Sequence, residues 1–224
     1  MLLSGTAAGA IGAADIAKKI NIKSLLSFDV GGTSADLSVI QDGIIPYNSG
    51  EMVGDFPIYV PTVSVTSIGE GGGSIAWVDD FGILKVGPKS AGSNPGPACY
   101  GKGGKNPTIT DAFAILGFLG HGELGYGTVN LDIEKAENAM SPLSKILKCD
   151  NYKTAQSIIE ISISGMFLES TKLLSRYGAD PRNFSLLAFG GAGPMMACLL
   201  AEELGINEIV VPTTDTFKYT YLLD

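Results

Sequence analysis

The sequence predicts an α/β fold: a β-meander, then helices, then a closing βαβ unit. Three observations carry that reading. Over the first ninety residues short apolar runs alternate with glycine-rich or Asp-Gly corners, as at 24–30, 35–40 and 83–86. From residue 108 the apolar spacing lengthens to the helical period. It is clearest over 152–177, where Ile158, Ile159, Ile161, Met166, Leu173 and Leu174 give a wide apolar face. Between 184 and 211 the order becomes strand, glycine corner, helix, strand.

Taken in order, the Ala/Gly-rich stretch 6–19 reads as a small-residue helix packed closely against a neighbour. Residues 1–14 are uncharged, but no basic run precedes the apolar stretch. Asp15, Lys18 and Lys19 then cut it short of the ~20 apolar residues that a membrane span needs. Ser24–Val30 reads as a buried strand and Ala35–Ile40 as its partner. Asp42-Gly43 signals a hairpin turn before a third strand from Ile44. Residues 56–66 alternate apolar and polar and suggest another strand, which 69–73 break and 75–78 resume. Asp80-Phe81-Gly82 then turns into 83–86. The Gly- and Pro-rich stretch 87–107 is expected to hold little regular structure, the mark of a functional or mobile loop. Thr110 or Asp111 is expected to cap a helix through Leu119. Asp132 should cap one over 133–147 that Pro142 kinks or splits. Gly178 and Pro181 close the long helix and Gly205 the helix 195–204. The β-rich first half and the helical second half are expected to share one core.

Composition narrows the function. Of 224 residues 45% are hydrophobic and 17% charged, a balance that folds rather than stays disordered. Fifteen Lys+Arg against 23 Asp+Glu give a net charge of −8 with no basic run, so neither nucleic acid nor a membrane surface is expected as a partner. Cys99, Cys149 and Cys198 lie far apart without a C-x-x-C, which reads as reduced thiols in a cytoplasmic protein. The single histidine, His121, excludes a multi-His zinc site, and its loop-like setting gives a Ser-His-Asp triad little support. Cys99 has no nearby histidine to make it a thiolate nucleophile.

Glycine stands out: 30 residues, about twice the ~7% average, gathered at a few corners. The strongest corner is Phe28-Asp29-Val30-Gly31-Gly32-Thr33-Ser34-Ala35-Asp36. Gly31 and Gly32 can take φ > 0 and let a bulky anion approach the backbone. Successive N–H groups, with the Thr33 and Ser34 hydroxyls, then make a concave anion site. Asp29 can hold a Mg²⁺-bound water or position an attacking water, and Asp36 can do likewise or brace the corner. A carboxylate beside phosphate needs an intervening metal or proton. No Walker A pattern is present and no helix follows, so the corner reads as a phosphate-binding hairpin, or else as a Gly-Gly turn without a ligand.

The second corner, Leu187-Ala188-Phe189-Gly190-Gly191-Ala192-Gly193-Pro194, joins a strand to a helix. A nucleoside can lie on Gly190, Gly191, Ala192 and Gly193 without side-chain obstruction, and Pro194 suits a first helical turn. The alternative is a dinucleotide-binding module on 184–211. Against it, Met196 occupies the third glycine position of that fingerprint, and only Asp215 is placed for a ribose. The third corner, Ile68–Ser74, repeats the strand–glycine–strand grammar. Gly71, Gly72 and Gly73 read either as a cleft rim or as plain structure.

These loops, in this order, resemble the hydantoinase A / 5-oxoprolinase family. The resemblance runs through Ser4–Gly9, Phe28–Asp36, Gly71–Asp79, Val86–Pro88, Ser90–Gly92, Pro95–Gly101, Pro107-Thr108, Thr110–Ala112, Ala188–Pro194 and Val211-Pro212. It implies an actin-like, sugar-kinase and Hsp70-type (ribonuclease H-like) ATPase lobe that uses ATP and Mg²⁺. Members open cyclic amides such as 5-oxoproline or hydantoins, and relatives carboxylate ketones. By the same resemblance Asp29 is catalytic and holds the metal through water. Gly31, Gly32, Thr33, Ser34 and Asp36 bind the nucleotide's phosphates, and Gly190–Pro194 its adenosine. Only one Asp-x-Gly-Gly-Thr loop is present where the family has two. Thr6 replaces a usual Pro, Ser64 and Thr66 stand where Asp and His are common, and the pattern is lost after Pro212. The resemblance therefore implies a hydantoinase A-type lobe over 1–212 with a divergent tail over 213–224. Its partners are a separately encoded first lobe, a hydantoinase B-type subunit and a small cyclic amide substrate; a non-catalytic remnant of the fold is the alternative.

Overall fold

A computed structural model describes residues 4–48, 51–53, 56–58, 62–119, 123–124 and 129–212. His121, Asp215 and the tail 213–224 lie outside the described residues. In chain order the elements are α1 (Ser4–Lys19), β1 (Ser24–Val30), β2 (Ala35–Gln41), β3 (Tyr47–Asn48), β4 (Glu51–Val53), β5 (Phe56–Ile58), β6 (Thr62–Val63) and β7 (Thr66–Ile68). There follow β8 (Ser74–Val78), β9 (Leu84–Ser90), α2 (Ile109–Ile115), β10 (Glu123–Leu124), β11 (Val129–Asn130), α3 (Ile133–Leu147), α4 (Asn151–Arg176), β12 (Ser185–Phe189), α5 (Gly193–Leu204) and β13 (Ile209–Val210). Where the sequence suggested a single core, the chain packs as two compact units interleaved along it. Unit 1 takes Met1–Asp29, Asp36–Ser67 and Phe167–Asp224; unit 2 takes Val30–Ala35 and Ile68–Met166.

A five-stranded sheet in the order β13-β12-β1-β2-β7 organises unit 1. β1 runs parallel to β12, with Asp29 opposite Phe189, and β12 runs parallel to β13. Leu25, Leu26, Phe28 and Val30 of β1 are all buried, as a central strand covered on both faces requires. Ala13, Ala14, Ile16 and Ala17 of α1 pack on Leu25, Ile40 and Leu187. Their small side chains let the helix lie close to the sheet. Asp42 and Gly43 both take positive φ, 52° and 71°, the geometry of a tight two-residue turn. The third strand starts at Tyr47, not Ile44, because Ile44 closes that turn through its backbone pairing with Gln41.

Unit 2 contains the β8–β9 hairpin and α2 and α3. β9 runs on through Gly87-Pro88 to Ser90, four residues into the stretch expected to be irregular, because Ser90 pairs with Ser74 across a bulge. The cap of α2 is Thr108, not Thr110 or Asp111. Thr108 Oγ1 accepts from the Asp111 amide while Asp111 Oδ2 accepts from the Thr108 amide, a reciprocal capping box. Asp111 also accepts from the Ala98 and Cys99 amides, which ties down the Gly/Pro-rich segment. α2 stops at Ile115 because Gly117 turns to φ +76°. Asp132 caps α3 as expected, accepting from the Lys135 amide at 3.1 Å. Pro142 does not split α3, which is assigned as one helix through it. In the turn before it, Ser141 Oγ and Asn151 Nδ2 both donate to the Glu137 carbonyl. Among the described residues no helix is long and apolar enough to cross a membrane.

Candidate functional site

In unit 2, the corner 31–34 folds on itself and rests on the third glycine corner. The Gly31 amide donates to the Ser34 carbonyl at 2.9 Å. Gly72 and Gly73 donate to the carbonyls of Gly31 and Gly32 at 2.9 and 2.7 Å. The Gly72 carbonyl in turn accepts from both the amide and the hydroxyl of Thr110, and the Gly73 carbonyl accepts from Ala91. No acceptor among the described residues takes the Gly32, Thr33 or Ser34 amides. Gly32 and Thr33 are exposed, so those donors are available to an outside acceptor.

Neither Gly31 nor Gly32 takes a positive φ, which corrects the conformational reason first given for them. Packing does not demand them either: a Cβ on Gly32 would meet nothing within 4 Å, and one on Gly31 only the Ser34 carbonyl at 3.7 Å. Gly71 and Gly73 are the opposite case. A Cβ on Gly71 would lie 2.8 Å from three backbone atoms of the corner, and one on Gly73 would lie 2.7 Å from the Gly32 carbonyl oxygen. Gly71, Gly72 and Gly73 are buried as the corner's backing rather than set out as a rim.

In unit 1, Asp29, next to last in β1, is a half-buried carboxylate. Burial, and secondarily the Asp36 charge, push its pKa up to about 6. No donor among the described residues reaches it. Asp36 is better supported: Ser67 Oγ donates to its Oδ1. One residue that sequence reasoning passed over is Gly9 of α1, whose missing Cβ leaves room beside Asp29 Oδ2 (3.5 Å) and the Phe189 ring (3.4 Å). Its signal was the spacing of small residues in α1. Ser64 is buried and accepts from the Tyr177 hydroxyl at 2.7 Å, a structural setting.

The Phe189–Pro194 corner is also in unit 1. Gly190 takes φ +79° and turns the chain out of β12. Gly191 is exposed, without positive φ and with nothing within 4 Å of a Cβ. Ala192 starts α5 without a capping side chain, and Pro194 sits in its first turn, as expected. Met196 is fully buried in α5. The first amides of α5 therefore have no side-chain acceptor.

A second carboxylate escaped sequence reasoning. Glu70 of unit 2 is partly buried, and burial alone pushes its pKa up to about 7. Only its position, next to three glycines, could have drawn attention. Cys99 is buried and its thiol is pushed up, first by burial and then by Asp111, which suits an inert thiol. No cluster of three or more His, Cys, Asp or Glu side chains suited to a metal ion occurs among the described residues.

The family described as Hydantoinase/oxoprolinase matches residues 1–221. Caprolactamase subunit alpha of Pseudomonas jessenii is 39% identical over 198 residues, which are 88% of this chain and 28% of that protein. The crystal structure of the ATP-dependent caprolactamase from that organism superposes with a TM-score of 0.84 at 37% identity, over 92% of this chain and 30% of that one. A nucleotide-free acetone carboxylase, from work on ATP-dependent acetone carboxylation, gives a TM-score of 0.85 at 30% identity, over 93% of this chain and 30% of that one. The α/β fold expected from the sequence is therefore one these enzymes share. The chain spans about 30% of the length of each of these three.

Proposed function

Because the chain belongs to the hydantoinase/oxoprolinase family, we propose that it supplies nucleotide-binding elements of an ATP-dependent enzyme acting on cyclic amides. One observation carries the reading. Gly32 and Gly191 are glycines that neither backbone angle nor packing requires. Glycine costs ~0.5–1 kcal/mol against alanine inside regular structure and gains nothing from its freedom at these two places. An outside group that must approach the backbone closely explains both.

The free amides of Gly32, Thr33 and Ser34 are proposed to bind phosphate oxygens, and Gly190–Gly193 to receive the adenosine. Asp29 and Asp36 fit a Mg²⁺ ion held through water. Two carboxylates that repel each other, one of them without a donor, gain from a bound cation. ATP would supply a phosphoryl group that turns the amide oxygen, a poor leaving group, into a good one. Asp29 would orient the water around the metal and keep its negative charge only above its raised pKa. One named relative, caprolactamase subunit alpha, is a subunit, and this chain is proposed to work with a further lobe and a hydantoinase B-type subunit. The small cyclic amide is the substrate class.

The test is calorimetric titration of the chain with Mg-ATP, and with NAD as control. Saturable Mg-ATP binding that Gly32→Val abolishes, with an unchanged circular dichroism spectrum, supports the reading. Undiminished affinity in Gly32→Val would overturn the corner's role, and NAD binding in place of ATP would move the site to 184–211.

A further inference from the structure

Glu70 occupies a setting that the nucleotide reading does not use. Its carboxylate is lodged against Gly165 of α4, where a Cβ would stand 3.1 and 3.2 Å from the two carboxylate oxygens. Its Cγ passes Gly87 of β9, where a Cβ would stand 3.6 Å away. Gly165 makes the room for this carboxylate, and Gly87, left-handed at φ +66°, lines the other side of the slot. Oε2 is sealed from solvent with no hydrogen-bond partner among the described residues. An ionised oxygen without a donor is far costlier there than the neutral acid. The elements packed against it carry Lys85 and Lys89 on β9, and Tyr152, Lys153, Glu160, Glu169, Lys172 and Arg176 on α4, and none of them is a cause of its raised pKa. Burial is the only cause resolved for it.

The chain continues directly into the backing of the corner. The Gly71 amide donates to Ser74 Oγ at 2.9 Å, and the Gly72 and Gly73 amides hold the Gly31 and Gly32 carbonyls. Glu70 is the covalent neighbour of Gly71, which fits the corner with no room to spare.

We propose that Glu70 is a protonation-dependent positioning residue: seated as a neutral acid in the slot between Gly87 and Gly165, it holds the Gly71–Gly73 segment against the 31–34 corner, and losing its proton to solvent loosens that segment. Its consequence for ligand affinity rests on the phosphate reading of the corner, but the brace itself does not.

The sign follows from linkage. A carboxyl whose pKa is raised in the packed state, from 4.5 to about 7, favours packing fully below the lower value. That advantage shrinks by at most roughly tenfold per pH unit between the two values and is gone above the upper one.

The experiment is amide hydrogen exchange by NMR on the chain between pH 5 and 8, corrected for intrinsic rates, with Leu186 as an internal control. Protection of Gly72 and Gly73 relative to Leu186 should fall as pH rises to about 7 and level off above it. In Glu70→Gln, which keeps the shape and cannot ionise, it should stay flat. A flat profile in the unsubstituted chain, or an unchanged slope in Glu70→Gln, overturns the proposal. If Glu70→Gln does not fold, the ¹³C carboxyl titration of Glu70 decides: a midpoint near 7 supports the proposal and one near 4.5 overturns it. The readout contains no nucleotide. Failure of Mg-ATP to bind would therefore sink the proposed function while leaving this result to stand or fall alone.

Discussion

Two glycine corners of this chain share one grammar, a strand, then glycines, then a strand, yet they differ in what surrounds them. Around Gly32 there is open space, and the neighbouring amides have no acceptor among the described residues. Around Gly71 and Gly73 there is no space at all: another stretch of backbone fills the place of each Cβ. On the proposed reading one corner is glycine because a ligand approaches it from outside; the other is glycine because the first corner lies on top of it. Residue type alone does not separate these cases; the distance to the opposing backbone does.

The comparison breaks most visibly at Gly71. Gly71→Ala should destabilise the chain by about 1–3 kcal/mol, the usual cost of overpacking. Thermal unfolding would register this as a clear fall in Tm. Gly32→Ala, measured beside it, should leave Tm unchanged; equal losses in both variants would erase the distinction drawn here. Next in size, Gly32→Val should weaken Mg-ATP binding by more than roughly tenfold, a loss of about 1.4 kcal/mol, without changing Tm.

A smaller effect separates two carboxylates, one in each unit. Asp29 has an acidic neighbour and should bind a cation only once ionised. Mg-ATP affinity should therefore rise as pH climbs through about 6 and level off above it, whereas Asp29→Asn should bind weakly at every pH. A profile in Asp29→Asn matching that of the unsubstituted chain would assign the titration elsewhere. Glu70 has no charged neighbour that shifts it, so its removal tests burial alone. Glu70→Gln should match the unsubstituted chain near pH 4.5. It should unfold roughly 2–4 °C higher at pH 8, where the native carboxyl is ionised and no longer favours the slot. Differential scanning fluorimetry at the two pH values decides it, and a shift of the same size at both would point to packing instead.

Much of the architecture was readable from local pattern. The apolar run of β1, the Asp132 cap, the long helix α4 and the strand–glycine–helix passage at 185–204 follow from spacing and residue type within a few positions of one another. Of the readings that missed, the cap of α2 turned on a near neighbour and the others named here on partners farther along the chain. Thr108 displaces Thr110 as the cap of α2 because Asp111 faces back toward it and also gathers the amides of Ala98 and Cys99. β9 extends into a Gly/Pro-rich stretch because β8 is there to pair with it. Gly9 and Glu70 went unnoticed because their settings come from Asp29, Phe189, Gly87 and Gly165, between 17 and 180 positions away in the chain.

The sequence by itself determined which elements form, the family they compose, and the few places where bare backbone occurs, since periodicity, capping and corner chemistry act between near neighbours. Tertiary structure decided which bare backbone is open and which is filled, and which carboxylate is sealed away from a donor. Burial and close approach are properties of what lies across the fold, and the residue at a position does not carry that information alone.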